Sequence, residues 1–172
     1  TQLETLYNQY TEYSREKDHH IRSLALLGLM IWQGVHSGEL VKMEVRHVKL
    51  NSGLVYISGT RRSKSRELKL EAKQIIVLHS YLNTLPPLRE KLFEGSVRNW
   101  ITRLMDELKG INPAIKNAQH IRASVILHWI KMYGKRQVQY MAGHRWISST
   151  QNYEVQELDS LTDLLAKHHP FS

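Results

Sequence analysis

The sequence predicts an α+β domain, mainly α-helical, that carries a small three-stranded antiparallel sheet. Apolar residues recur at helical spacing through most of the 172 residues, the stretch from Val45 to Leu70 reads as short strands, and no Pro/Gly/Ser-rich linker divides the chain. A chain of this length can bury one core. It is read as a single domain, 1–172.

Leu3, Leu6, Tyr7 and Tyr10 mark a first helix, and Ile21 to Trp32 is apolar enough for a buried second one, ended by Gly34. Ser37-Gly38-Glu39-Leu40 restarts a short helix. Val45, Val48 and Leu50 lead through Asn51-Ser52-Gly53 into Leu54 to Ile57, a hairpin with a Gly-containing turn. Arg66 to Leu70 supplies a third strand, reached through the polar, basic link Ser58 to Ser65. Ala72 to Leu82 is helical and stops near Pro86-Pro87, since consecutive prolines cannot continue a helix. Val97 to Leu108 follows, with Gly110 as its expected end. Asn117 to Tyr133 buries Ile121, Val125, Ile126, Trp129 and Ile130, with Gly134 as the expected stop. Short helices are expected over Arg136 to Met141 and Ser148 to Tyr153. Leu158, Leu161, Leu164 and Leu165 give Val155 to Lys167 the pattern of an amphipathic last helix.

Twenty-four Lys and Arg stand against 16 Asp and Glu, a formal charge of +8 that favours a polyanionic partner, nucleic acid above all. The absence of cysteine excludes disulfides, thiolate zinc sites and a cysteine nucleophile. No run approaches the roughly 20 apolar residues of a membrane span. The opening Thr1-Gln2-Leu3-Glu4 does not read as a signal peptide, so the expectation is a cytoplasmic protein with no membrane partner.

The chemistry is suggested by the end of the chain. Arg122 opens a helix, His144 follows a Gly turn 22 residues later, and Tyr153 comes nine residues after that. A phenol with an ordinary pKa of roughly 10 is a poor nucleophile near neutrality, and needs cationic donors around the phosphate it attacks. Arg122 and His144 are the candidates. This order, embedded in Gly143-His144-Arg145-Trp146-Ile147-Ser148-Ser149-Thr150-Gln151-Asn152-Tyr153, resembles the catalytic domain of the tyrosine recombinases, the phage integrase family. The Val138-Gln139-Tyr140-Met141-Ala142 approach fits as well, and the likeness covers nearly the whole chain.

The resemblance implies a site-specific recombinase or integrase of mobile-element type acting on double-stranded DNA. Tyr153 would form a 3′-phosphotyrosine that conserves bond energy for rejoining. Arg122 would hold two nonbridging oxygens through its planar fork, and His144 would donate to the phosphate or shuttle a proton. Neither metal, cofactor nor small-molecule substrate is expected. It further implies a tetramer on DNA, a separate helical DNA-binding domain absent from this chain, and a leucine-bearing tail that docks on a neighbouring subunit or packs on its own.

Three positions depart from the family's pattern. His36, in Gly34-Val35-His36-Ser37-Gly38-Glu39-Leu40, stands where the family has its first arginine; loss of one preorganised donor costs about 10² to 10³ in rate. Glu39 would hold the helix start or orient a neighbour. Gln119 stands where the family has His or Lys, and cannot exchange a proton. For the hairpin lysine that protonates the leaving oxygen, the candidates are Arg61, Arg62 and Lys64; Lys64 is favoured because an arginine is a poor general acid. Arg61, Arg62, Arg66, Lys131, Lys135, Arg136 and Arg145 are expected DNA-backbone contacts. Trp146 is expected to pack beneath the site. The rival expectation is a DNA-binding or assembly protein of the same fold, weakened by the changes at 36 and 119.

Overall fold

The computed structural model describes residues 2–156. Its elements are α1 (Gln2–Ser14), α2 (His20–Trp32), α3 (Ser37–Leu40), β1 (Val48–Lys49), β2 (Leu54–Ile57), β3 (Arg66–Lys69), α4 (Ala72–Thr84), α5 (Val97–Ile111), α6 (Ala118–Met132) and α7 (Lys135–Ala142), followed by a helical segment over 147–156. The amphipathic helix expected over Val155 to Lys167 lies almost wholly outside the described residues. No helix among the described residues is long and apolar enough to cross a membrane.

α2 is the hub because its residues from Ser23 to Ile31 are all buried, and it packs against α1, α4, α5 and α6. Leu26, Leu27 and Leu29 are fully enclosed; emptying such a position to alanine costs about 2–5 kcal/mol. A second apolar cluster, Val125, Ile126, Trp129, Val138 and Ala142, joins α6 to α7 and takes Tyr153 against its edge. The nucleophile candidate is therefore seated on the same packing that carries Arg122.

The sheet has the order β1-β2-β3 with both pairs antiparallel. Its register pairs Val48 with Val55 and Ile57 with Arg66. The period of two sends Val55 and Ile57 inward, and β2 is thereby fixed on the core.

Two helix ends differ from expectation. α5 runs through Gly110 to Ile111 and ends at Asn112, which is extended because Pro113 follows. α6 ends at an extended Tyr133, and Gly134 instead opens α7, with φ −68°. The α6 start is as expected: the Asn117 side chain accepts from the His120 N–H at 2.9 Å, a cap worth about 1 kcal/mol.

Glu107 pins the α1–α2 junction to α5. It accepts from the Tyr10 hydroxyl at 2.6 Å, Lys17 at 3.0 Å and His19 at 3.1 Å. Burial alone would raise its pKa, but these donors outweigh it and hold the carboxyl below its usual range. The ion pairs therefore stabilise the fold fully above the unfolded pKa of roughly 4.3, and that contribution is lost as pH falls through the lower folded value. Glu107→Gln is expected to cost about 1–3 kcal/mol at pH 7, with the gap to the parent closing in strong acid. Urea titrations at both pH values check it; an equal gap at both rules out the charge as the cause.

Candidate active site

Arg122 stands one turn into α6, and its partly buried guanidinium is held by two helix ends. Nη2 donates to the Ala142 carbonyl at the end of α7 at 2.7 Å, and Nη1 donates to the carbonyl of Gly34, just past α2. Gly34 has φ +56°, and a Cβ there would meet the Trp129 ring at 3.1 Å, so the turn that presents this carbonyl requires glycine. Two of the five guanidinium N–H groups are named in these bonds, and neither acceptor is an anion, which leaves the charge available to a phosphate. Burial pushes the Arg122 pKa down, while Glu39 and Tyr153 oppose the shift.

Gly143 closes α7 in the left-handed conformation, φ +68°. A Cβ there would sit 2.5 Å from Arg66 Nη1 and 2.8 Å from the Lys64 carbonyl. That close approach lets the Lys64 N–H donate to the Gly143 carbonyl at 2.8 Å, and Ser63 bridges to His144. The basic loop after β2 is thus laced onto the Gly-His turn. The His144 ring lies parallel to Tyr153, 8° between planes and 5.8 Å between centroids, and its Nδ1 is 2.8 Å from Thr150 Oγ1. Burial, reinforced by the Arg122 and Arg66 charges, pushes the imidazole pKa down to about 4. It is neutral near pH 7.

His36 caps α3: Nδ1 accepts from the Gly38 N–H at 3.1 Å, and Nε2 lies 3.4 Å from Ser63 Oγ and from Glu39 Oε1. Burial lowers its pKa as well, so at the position of the family's arginine it adds no cation at neutral pH. Glu39 holds the helix start, one of the two roles expected of it, and also ties in the basic loop. Oε2 accepts from the His36 N–H at 3.2 Å, closing the capping box, and its fully buried carboxylate orients the loop through Ser63 Oγ at 2.7 Å and Arg66 at 2.6 and 3.1 Å.

The DNA-contact expectation for Arg66 is therefore corrected. Arg66 is 2% exposed and its fork is spent on Glu39, inside the protein. Trp146 is corrected too: it is 73% exposed rather than packed beneath the site.

His36, Gln119, Arg122, His144 and Tyr153 converge on one open cleft of about 700 Å³, which the basic loop also lines with Thr60, Arg61, Arg62 and Ser63. Lys64 does not line it. It borders a smaller recess of about 420 Å³ that Arg136, Gln139 and His144 also line, so the favoured hairpin acid lies beside His144 but outside the cleft, which Arg61 and Arg62 line. Lys131 and Lys135 are exposed away from the cleft, and Lys135 pairs with Glu154 at 2.8 Å. Arg145 donates to the Thr60 carbonyl at 3.0 Å and so braces the loop. Two residues were missed by sequence reasoning. Arg98, in the first turn of α5, lines the cleft, and no local motif marks it. Thr150 is buried against His144; its place in the Ser-Ser-Thr turn was the available signal.

The chain is similar to known recombinases in sequence and in fold. Tyrosine recombinase XerC of Escherichia coli O127:H6 (strain E2348/69 / EPEC) is 28% identical over 163 residues, covering 87% of this chain and 54% of the relative. The chain thus spans about half the length of the curated relatives it matches. The crystal structure of XerA recombinase superposes with a TM-score of 0.73 at 18% identity, over 98% of this chain and 65% of that one. XerH site-specific recombinase, in a pre-cleavage complex with its difH substrate, gives 0.73 at 19% identity, over 92% and 50%. These two likenesses show the shared fold, a tyrosine recombinase catalytic domain. The model of the phage integrase family matches residues 1–158, and the chain belongs to that family.

Proposed function

We propose that this domain cleaves and rejoins DNA strands as the catalytic part of a site-specific recombinase. The observation that carries the reading is the convergence of Arg122, His144 and Tyr153, distant in sequence, on one cleft walled by a basic loop. In the cleavage step the Tyr153 phenol oxygen bonds to phosphorus and gives up its proton. The bond to the 5′ oxygen breaks, and that oxygen gains a proton. One phosphoester replaces another, so attack by a 5′ hydroxyl reverses the step without ATP. Arg122 holds nonbridging oxygens; Gln119 and Arg98 add donors at the rim, and Arg61 and Arg62 clamp the backbone. Lys131, Lys135, Arg136 and Lys64 serve a wider DNA footprint.

The complex of XerH with its difH substrate supports a DNA substrate, and such a substrate supports a cytoplasmic place of action. Assembly on DNA, as a tetramer, belongs to the same reading. A groove of about 630 Å³ with a mixed lining, Leu3, Trp32, Trp129 and Met141 beside Glu4, Glu67, Lys69 and Glu71, offers a seat for an amphipathic leucine-bearing segment.

The test is a nicked duplex whose short leaving fragment diffuses away, resolved on a denaturing gel. A covalent adduct is expected with the parent and none with Tyr153→Phe. Tight DNA binding without an adduct at any pH overturns the reading.

A further inference from the structure

Thr150 is fully buried beside the imidazole of His144, in the helical segment that carries Tyr153 three residues on. Its hydroxyl lies 2.8 Å from Nδ1, and among the described residues this is the hydrogen bond it makes. The two groups can share one proton in either of two ways. If Nδ1–H donates to Oγ1, the threonine O–H is left as a buried donor without an acceptor among the described residues, an arrangement proteins avoid because its hydration is not replaced. If the hydroxyl donates to Nδ1, both groups are satisfied and the ring proton must reside on Nε2.

We propose that Thr150 is a positioning residue: it donates to Nδ1 and fixes His144 as the Nε2–H tautomer, so that His144 presents a neutral hydrogen-bond donor to the phosphate in the cleft. Parallel packing on Tyr153 at 5.8 Å fixes the ring plane, and the Ser63 bridge fixes its backbone. Thr150 fixes the remaining variable, which nitrogen carries hydrogen. A ring set in this way does not take up the phenol's proton through Nε2. The Arg122 and Arg66 charges near the ring disfavour an imidazolium as well, so the neutral donor is the form consistent with its surroundings.

The functional half of this assignment rests on the strand-cleavage reading; the tautomer does not, and the two are measured separately. Long-range proton–nitrogen correlation spectra of the free protein at pH 7, with the His144 ring identified by its absence in His144→Asn, are expected to show Nε2 protonated. Thr150→Val keeps the volume and removes the hydroxyl. It is expected to release an Nδ1–H population and to slow adduct formation by roughly tenfold, the scale lost when partners that orient metal-bound histidines are removed. Thr150→Ser restores both. An Nδ1–H signal in the parent overturns the proposal, as does a Thr150→Val protein with unchanged spectrum and rate. Should the valine variant not fold, the parent spectrum and the serine variant still decide. An Nε2–H parent that forms no adduct overturns the cleavage reading while supporting the role of Thr150.

Discussion

Arg122→Ala is expected to slow formation of the Tyr153 adduct by about 10² to 10³-fold, equivalent to roughly 3–4 kcal/mol of lost transition-state stabilisation. The magnitude follows from where the guanidinium sits. Its position is set by the Gly34 and Ala142 carbonyls before any DNA arrives, so no reorganisation is needed as charge builds on the phosphate. His36 is committed to capping α3 and held neutral by burial, and cannot take over. Arg122→Lys is expected to lose most of the rate as well, because one ammonium cannot satisfy two carbonyls and grip a phosphate as a planar fork does. Removing Arg122 also removes, after burial, the largest influence holding the His144 pKa near 4. His144 should then hold its proton to higher pH, visible in a histidine NMR titration. Single-turnover cleavage of the nicked duplex, with thermal melting as the folding control, decides the matter. A folded variant cleaving within about fivefold of the parent removes Arg122 from the chemistry.

How much of this was legible beforehand depended on whether the controlling contact was local. The α6 start and buried face could be read because Asn117 caps by a bond to its own helix and Ile121, Val125, Ile126 and Trp129 repeat on one face. The spacing of His144 and Tyr153 was legible for the same reason: a Gly turn and one helix separate them. Arg66 was not, since an arginine in an alternating strand reads as solvent-facing, and only its partner Glu39, 27 residues away, makes burial tolerable. Side-chain direction in the basic loop was equally hidden. Lys64 has the better chemistry for a proton donor, yet its N–H is tied to Gly143 and it lines a recess beside His144 rather than the cleft itself. Arg98 reaches the cleft through the packing of α5 against α3, which no spacing along the chain encodes.

The Glu39–Arg66 pair carries the largest expected effect on folding. Burial on its own would raise the Glu39 pKa, but hydrogen bonding and charge from Arg66 win, and the carboxyl is held below its usual range. Arg66→Met reverses that balance, leaving a carboxylate that must either stay charged without its partner or take up a proton. The expected cost is about 3–5 kcal/mol at pH 7, the range for breaking a buried pair from one side. The pair's contribution is complete above the unfolded carboxyl pKa of roughly 4.3 and is lost as pH falls through the depressed folded value, so the parent–variant gap should narrow in acid. Replacing both residues, Glu39→Gln with Arg66→Met, should recover part of the loss, because no unpaired charge remains. Cleavage should stay low even so: Ser63 and the loop that faces the cleft are oriented by this carboxylate. Lys49→Ala supplies the contrast, since its pair with Glu67 is half exposed and such pairs contribute about 0–1 kcal/mol. If urea titrations give the Arg66 and Lys49 variants similar losses, the buried pair is not what holds the loop against the Gly-His turn, and the architecture of the cleft must rest on the backbone contacts of Lys64 and Ser63 alone.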